Sequence, residues 1–184
     1  MRPPEPGRNA LLDAGQRLLS TSDLARISVN AIVAEAGMAK GSFYQHWPSR
    51  TDYVRALHVR FHDQLEESIV AAMAELAPGR DRLEAGMKVY LDGCLADAAT
   101  KALLVQSRTE AGLSDLVAAR NEIAATLLLP DLVVLGWSRP EPIAALLVAA
   151  VAEIALLELA AGKPDKVLRN GLIRLGTGDR SPSG

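Results

Sequence analysis

The sequence predicts an all-α chain in two parts, a three-helix head followed by a larger helical body. Two observations carry this. Apolar residues recur at spacings of three and four through nearly all of the 184 residues, the period of one helix face. Glycine, proline or capping residues interrupt those stripes about once per helix length, as at Gly37, Pro48, Pro78-Gly79 and Pro130. Val133, Val134 and Leu135 form the one strand-like run. A lone strand would have no partner, so this stretch is read as a loop or short helix.

Residues 1–7 are a proline-rich arm, and a first helix follows from about Arg8 to Ser20 on a Leu11, Ala14, Leu18 stripe. Ser28 is placed to cap the next helix, whose Val29, Ile32, Val33 and Ala36 share helical spacing. Gly37 supplies a left-handed turn at no side-chain cost. A second short helix, Ala39 to His46, is polar except for Phe43, with Trp47 four residues on and Pro48 ending it. Two short helices about a glycine turn make a helix-turn-helix, whose second helix has the shape of the DNA major groove. Ser49 and Asp52 then have capping-box spacing. They start a long helix to about Ala77, with Val54, Leu57, Phe61, Leu65, Ile69, Ala72 and Leu76 on one stripe. This helix links the head, residues 1–55, to the body, residues 56–184.

In the body, a helix from about Asp81 to Ala99 places Leu83, Met87, Tyr90 and Cys94 on one face. Residues 100–111 read as one or two helical turns. Ser114 caps a helix whose Leu116, Ile123 and Leu127 should face inward and which should end before Pro130. Glu141 to Ala161 is the most apolar helix. Its only charges, Glu141, Glu153 and Glu158, lie about 100–140° apart around the axis, so it has no polar face. A second copy of the chain is the economical cover for such a helix. With a last helix at about 164–175, two-fold pairing would form an intermolecular four-helix bundle. Glu153 has no escape to water by its position and must find a donor, whereas Glu158 can reach solvent or Lys163 and Lys166. Residues 176–184 should be disordered.

Composition narrows the function. The net charge of −2 hides an asymmetry: residues 1–55 hold seven Lys/Arg against five Asp/Glu, and residues 56–184 hold thirteen against seventeen. The head therefore has a small positive footprint, as DNA binding requires, with an acidic body turned away. Cys94 is the one cysteine, which rules out an intramolecular disulfide and fits a reducing cytoplasm. The N-terminal residues lack the apolar stretch of a signal peptide. The longest purely apolar run, Ile143 to Ala152, is too short to span a bilayer, so no membrane partner is expected. No nucleophile–base pair, phosphate-binding glycine loop or HExxH is present, so an enzyme is not expected and no cofactor is called for.

Residues 28–50 resemble the DNA-binding domain of the tetracycline-repressor (TetR) family of transcriptional regulators. That family's pattern runs Thr-Val-x-x-Ile-Ala-x-x-Ala-Gly-Val-Ser-x-Gly-Thr-Leu-Tyr-x-His-Phe-x-x-Lys. Ser28, Val29, Ile32, Val33, Ala36, Gly37, Met38, Ala39, Gly41, Ser42, Phe43, Tyr44, His46, Trp47 and Arg50 stand in the same register. Ala39 departs from it, replacing a capping serine, a loss of typically ~1 kcal/mol. The resemblance covers residues 9–55. It implies a homodimer on a double-stranded palindromic operator, released by a small-molecule effector held in the body.

The resemblance implies that Tyr44 and His46 hold the phosphate backbone. Arg50 begins the long helix, where amides and a cation can grip a phosphate together. Lys40, Ser42 and Gln45 are able to reach base edges or flanking phosphates, Gly41 permits close approach, and Ser28, which caps the helix before them, completes the expected DNA contacts. Phe43 and Trp47 read as core. For an effector, Met87, Tyr90, Cys94, Trp137 and Glu153 are the candidates, though periodicity fits a lined cavity or a filled core equally. His58, His62 and Glu66 have metal-ligand spacing, set against a solvated helix edge as the plainer reading.

Overall fold

The computed structural model describes residues 6–22, 27–96, 99 and 113–178. Among the described residues there are eight helices and no strand: α1 (Pro6–Leu19), α2 (Val29–Glu35), α3 (Lys40–His46), α4 (Arg50–Met73), α5 (Arg80–Ala96), α6 (Ser114–Val134), α7 (Pro140–Ala161) and α8 (Lys166–Thr177). The chain divides into two compact units, and the division falls inside α4, between Asp63 and Gln64. The expected helical turns at 100–111 lie outside the described residues.

The first unit is built on Leu11, Leu12, Ala14, Ile32, Phe43 and Tyr53, all buried. α1 packs across α2 and α3, as its stripe requires. Tyr53 sits over Gly15, where a Cβ would lie 1.9 Å from the tyrosine oxygen, and its hydroxyl donates to Leu11 O at 2.7 Å. Only glycine fits beneath that ring.

In the second unit α7 packs along α6 and also against α5 and α8. Its inward face is Ala144, Leu147, Val148, Val151, Ile154, Ala155 and Glu158. By length and composition α7 is apolar enough to cross a membrane, with a mean hydropathy of 2.3, although 39% of that window is buried inside the protein. Within one chain the helix is not covered all round: Leu146 and Leu157 stay 61% and 48% exposed. Glu153 lies on this outer face. The buried acid is Glu158, in phase with Val151 and Ile154 on the inner face.

The bounds of α4, α6 and α8 differ from expectation in ways that packing explains. α4 stops at Met73 rather than Ala77, since Ala74 N and Leu76 N already bond back only three residues, and Pro78 disfavours a helical Ala77. α6 does not stop before Pro130. It runs on to Val134, because Asp131 and Leu132 are wholly buried and Asp131 accepts from Gly79 N (2.9 Å) and Arg82 Nη1 (2.7 Å). Those contacts outweigh the one backbone bond the proline forfeits. The strand-like Val133 and Val134 are therefore the exposed end of a helix, and Ile123 faces outward, 48% exposed. α8 begins after Asp165, whose carboxylate accepts from Val167 N and Leu168 N, and extends to Thr177. Gly176 is no part of a loose tail: it is buried, and a Cβ there would come within 2.8 Å of Leu83.

Candidate nucleic-acid interface

The reading head is assembled by local chemistry. Ser28 Oγ accepts from Ala31 N at 3.1 Å and starts α2. Gly37 adopts φ 65°, and Met38 N returns to Val33 O at 2.8 Å, closing the helix with a left-handed cap. Ala39 starts α3 with no side-chain cap, as its identity requires. Ser49 and Asp52 bond to each other, Asp52 N donating to Ser49 Oγ at 3.1 Å and Ser49 Oγ donating to Asp52 Oδ2 at 2.6 Å. That start to α4 matches the capping spacing of the sequence.

α3 is held from beneath by aromatic rings. Phe43 lies 5.6 Å from Trp47 and 5.2 Å from Tyr53, ring centre to ring centre, and Trp47 meets Tyr53 edge-on at 4.9 Å. Arg8 covers the outer face of Trp47 at 5.3 Å, a cation–π contact that ties α1 to this cluster. With Phe43 wholly buried, helical phase turns Gly41 and Gln45 to the opposite side, and Lys40 and Tyr44 are exposed beside them. Tyr44 is 51% exposed while its ring edge rests on Phe43. Ser42 and His46 are half-buried at the margins of this face. No atom lies within 4 Å of a Cβ built on Gly41, so the backbone there is open to a close-approaching surface. Seven residues of helix are about 10 Å long, a length that enters the ~12 Å wide major groove.

Two of the expected contacts have other work inside the head. Ser28 spends its oxygen on the α2 cap. Arg50 is half-buried and donates from Nε to Ile27 O at 2.8 Å, bracing the segment that leads into α2.

Residues 11–57 match the family model of the bacterial regulatory proteins, tetR family. That match covers the head alone. A putative TetR-family transcriptional regulator from Rhodococcus sp. superposes with a TM-score of 0.78 at 18% identity, over 96% of this chain and 100% of that one. A fatty acid degradation regulator, FadR, from Bacillus halodurans gives 0.79 at 14% identity, over 97% and 98%. A TetR-like transcriptional regulator from Rhodococcus sp. RHA1 gives 0.73 at 22% identity, over 92% and 93%. No curated protein matches the chain. The likeness in fold thus extends through the body, beyond the residues that the family model matches.

The candidate effector residues do not converge. Met87 lines a groove of about 220 Å³ between α5 and α8, beside Lys88, Leu91 and Arg169. Cys94 is buried two turns further along α5, its thiol pushed up to about 12 by burial, so it stays protonated and behaves as a small apolar residue. Tyr90 is half-buried and hydrogen-bonds that thiol. Trp137 donates from Nε1 to Gly176 O at 2.7 Å and packs on Gly178. Glu153 is on the surface.

The histidine pair is not the solvated edge expected. His58 is 1% exposed and neither ring nitrogen has a partner. Burial and the neighbouring His62, stacked at 6.3 Å, lower its pKa to about 4. Glu66 turns away to Arg120 Nη1 at 2.9 Å. Among the described residues no three His, Cys, Asp or Glu side chains gather around a metal position.

Proposed function

We propose that the protein is a homodimeric repressor that sets the recognition helix of each subunit into the major groove of a palindromic operator and lets go when a small molecule binds the body. The observation that carries this reading is the outward face of α3. Lys40, Gly41, Tyr44 and Gln45 project from a helix whose other side is locked by Phe43, Trp47 and Tyr53. Lys40, Tyr44 and, at the margin, His46 meet phosphates and hold the register, while Gln45 and Ser42 reach base edges. Arg50 adds a phosphate contact from the start of α4.

The dimer is supported by an unburied apolar stripe. Leu146 and Leu157 on α7 and Val167 and Leu175 on α8 are 61%, 48%, 81% and 54% exposed, and Gly171 between the last two offers a flat approach. Two copies paired on this stripe form a four-helix bundle at residues 141–175. This pairing also accounts for the membrane-like composition of α7 without a membrane, in keeping with a cytoplasmic regulator. Half-sites then lie about one helical turn, ~34–36 Å, or a multiple apart.

The effector acts by preferring a body conformation whose α4 holds the two heads at a non-binding spacing, a shift of populations rather than a new contact with DNA. Few aromatics are available to it, Phe61, Tyr90 and Trp137, which suits an aliphatic compound better than a flat polyaromatic one. A structural relative that regulates fatty acid degradation is consistent with that choice. Sequencing the DNA fragments bound in the cell tests the reading. It expects an inverted repeat of two short halves; enrichment of no common sequence would reject it.

A further inference from the structure

We propose that the groove between α5 and α8 binds a short-chain aliphatic carboxylate, its chain along the apolar floor and its carboxylate at Lys166. Calling that ligand the effector rests on the reading above; the binding itself does not.

The groove lies wholly within the second unit. Its floor is Met87 and Leu91 from α5 with Leu172 and Ile173 from α8. The two helices run antiparallel, since Gly176 packs on Leu83 while Arg169 bonds to Asp92. Met87 therefore stands level with Ile173, and Leu91 with Arg169. Residues 84–91 and 166–173 line the groove, a length of about 11 Å at ~1.5 Å per residue. A volume of about 220 Å³ over that length leaves a section of roughly 20 Å², about the square of the ~4.5 Å spacing of apolar carbons in contact. One methylene chain fits and a ring lying flat does not. At about 30 Å³ for each water-sized group the volume holds roughly seven to eight heavy atoms, the size of hexanoate.

Charge gives the chain a direction. Three cations line the groove, Lys88, Lys166 and Arg169, and two of them are engaged. Lys88 Nζ donates to Asp92 at 2.6 Å, and Arg169 donates twice to Glu158 and once to Asp92. Among the described residues no acid pairs with Lys166. Asp165 beside it accepts from the amides of Val167 and Leu168 instead. Glu84 is the lining's own acid and stands at the opposite end, about 15 Å away by helix rise and beyond a Debye length, too far to neutralise Lys166. A carboxylate entering the groove is therefore drawn to the Lys166 end and repelled from the Glu84 end. Its charge-assisted bond to Lys166 displaces no ion pair of the protein, so nothing has to break to admit it.

The test is a titration of sodium hexanoate into protein carrying ¹³C-methyl methionine, followed by NMR. Of the four methionines, Met87 lies in the floor and Met38 in the head, where it serves as the reference. The Met87 methyl should shift saturably, with half-saturation at about 0.1–1 mM for so small a ligand, while Met38 stays in place. Acetate, which has the charge without the chain, and hexylamine, which has the chain with the opposite charge, should each need at least about tenfold more. Lys166→Glu should raise half-saturation about tenfold or more, and Asn170→Trp, which fills the groove from an exposed lining position, should do the same. Both sites are on the surface, and circular dichroism matching the parent's shows that the fold is kept; the ligand series decides the matter without either variant. The absence of a saturable Met87 shift up to about 20 mM, equal binding of hexylamine, or undiminished binding by a folded Lys166→Glu each overturns the inference. No DNA enters the assay, so none of these results bears on the DNA-binding reading, and failure of the protein to bind DNA would leave this site standing.

Discussion

Glu158 and Arg169 form a two-pronged ion pair between α7 and α8, Nε to Oε1 at 2.7 Å and Nη2 to Oε2 at 2.6 Å. Asp165 N donates to the same carboxylate at 2.8 Å, and Asp92 on α5 takes the other arm of the guanidinium. Three helices meet at one buried charge pair. The guanidinium holds the Glu158 carboxyl below the usual carboxylate range.

Glu158→Gln keeps the shape and strands the guanidinium with Asp92 alone, which should cost on the order of 2–4 kcal/mol of stability at pH 7. Glu153→Gln, on the outer face of the same helix, should cost well under half of that. Urea unfolding of both variants measures the difference; equal midpoints would contradict the assignment of Glu158 as the buried partner. The sign with pH follows from the lowered carboxyl: this stabilisation is present above the ordinary value of 4.5 and is lost as pH falls through the folded-state value.

His58 adds a second acid sensitivity, in a higher window. Its pKa is about 4 folded against 6.5 unfolded, so the unfolded chain takes up the proton first. No penalty exists above pH 6.5; it grows as pH falls and is complete below 4, at roughly 3 kcal/mol. His58→Leu should remove this slope and, by deleting two unpartnered nitrogens, raise stability at pH 5. Thermal melts at pH 7.5 and pH 5 decide it: a variant with the parent's pH slope would show that His58 is charged or solvated in the fold.

The dimer face is best tested at its exposed positions. Leu146→Arg and Leu157→Arg should leave the subunit folded and shift it to monomer, because an unpaired charge then faces the partner rather than its own core. Leu147→Arg, one residue along and wholly buried, should unfold the chain. Sedimentation equilibrium and circular dichroism separate the two results. A folded dimer of Leu146→Arg/Leu157→Arg would place the interface elsewhere.

What was legible in the sequence was local. Ser28, Gly37, Pro48 and the Ser49–Asp52 pair each act within a few residues, so the head could be read to within a residue or two. The body was harder where tertiary contacts prevail. Pro130 looked like a stop, yet Asp131 and Leu132 are buried deeply enough to carry α6 past it. α7 is apolar all round, which leaves a reader no phase for choosing between Glu153 and Glu158; only the packing against α5 and α8 chooses. Arg60 Nη1 donates to Asp13 Oδ1 across 47 residues, and nothing local announces that pairing. Arg50 has the sequence position of a phosphate contact, but its bond to Ile27 O, which braces the head, is made across 23 residues and has no local signal.

For that reason Arg50 is a poor probe of DNA binding, and Lys40 and Tyr44, both outward-facing on α3, are better ones. The measurement that bears most directly on the central claim is fluorescence anisotropy of a labelled duplex carrying the cell-derived site, at two salt concentrations, with unmodified protein and with Lys40→Ala/Tyr44→Ala. The account predicts tight, salt-sensitive binding for the former. The double variant should bind at least about tenfold more weakly, on site and off-site duplexes alike, and show a shallower salt slope, because phosphate contacts position the head without reading bases. A double variant that binds the site as tightly as the parent would contradict the proposal that α3 is the surface that meets DNA.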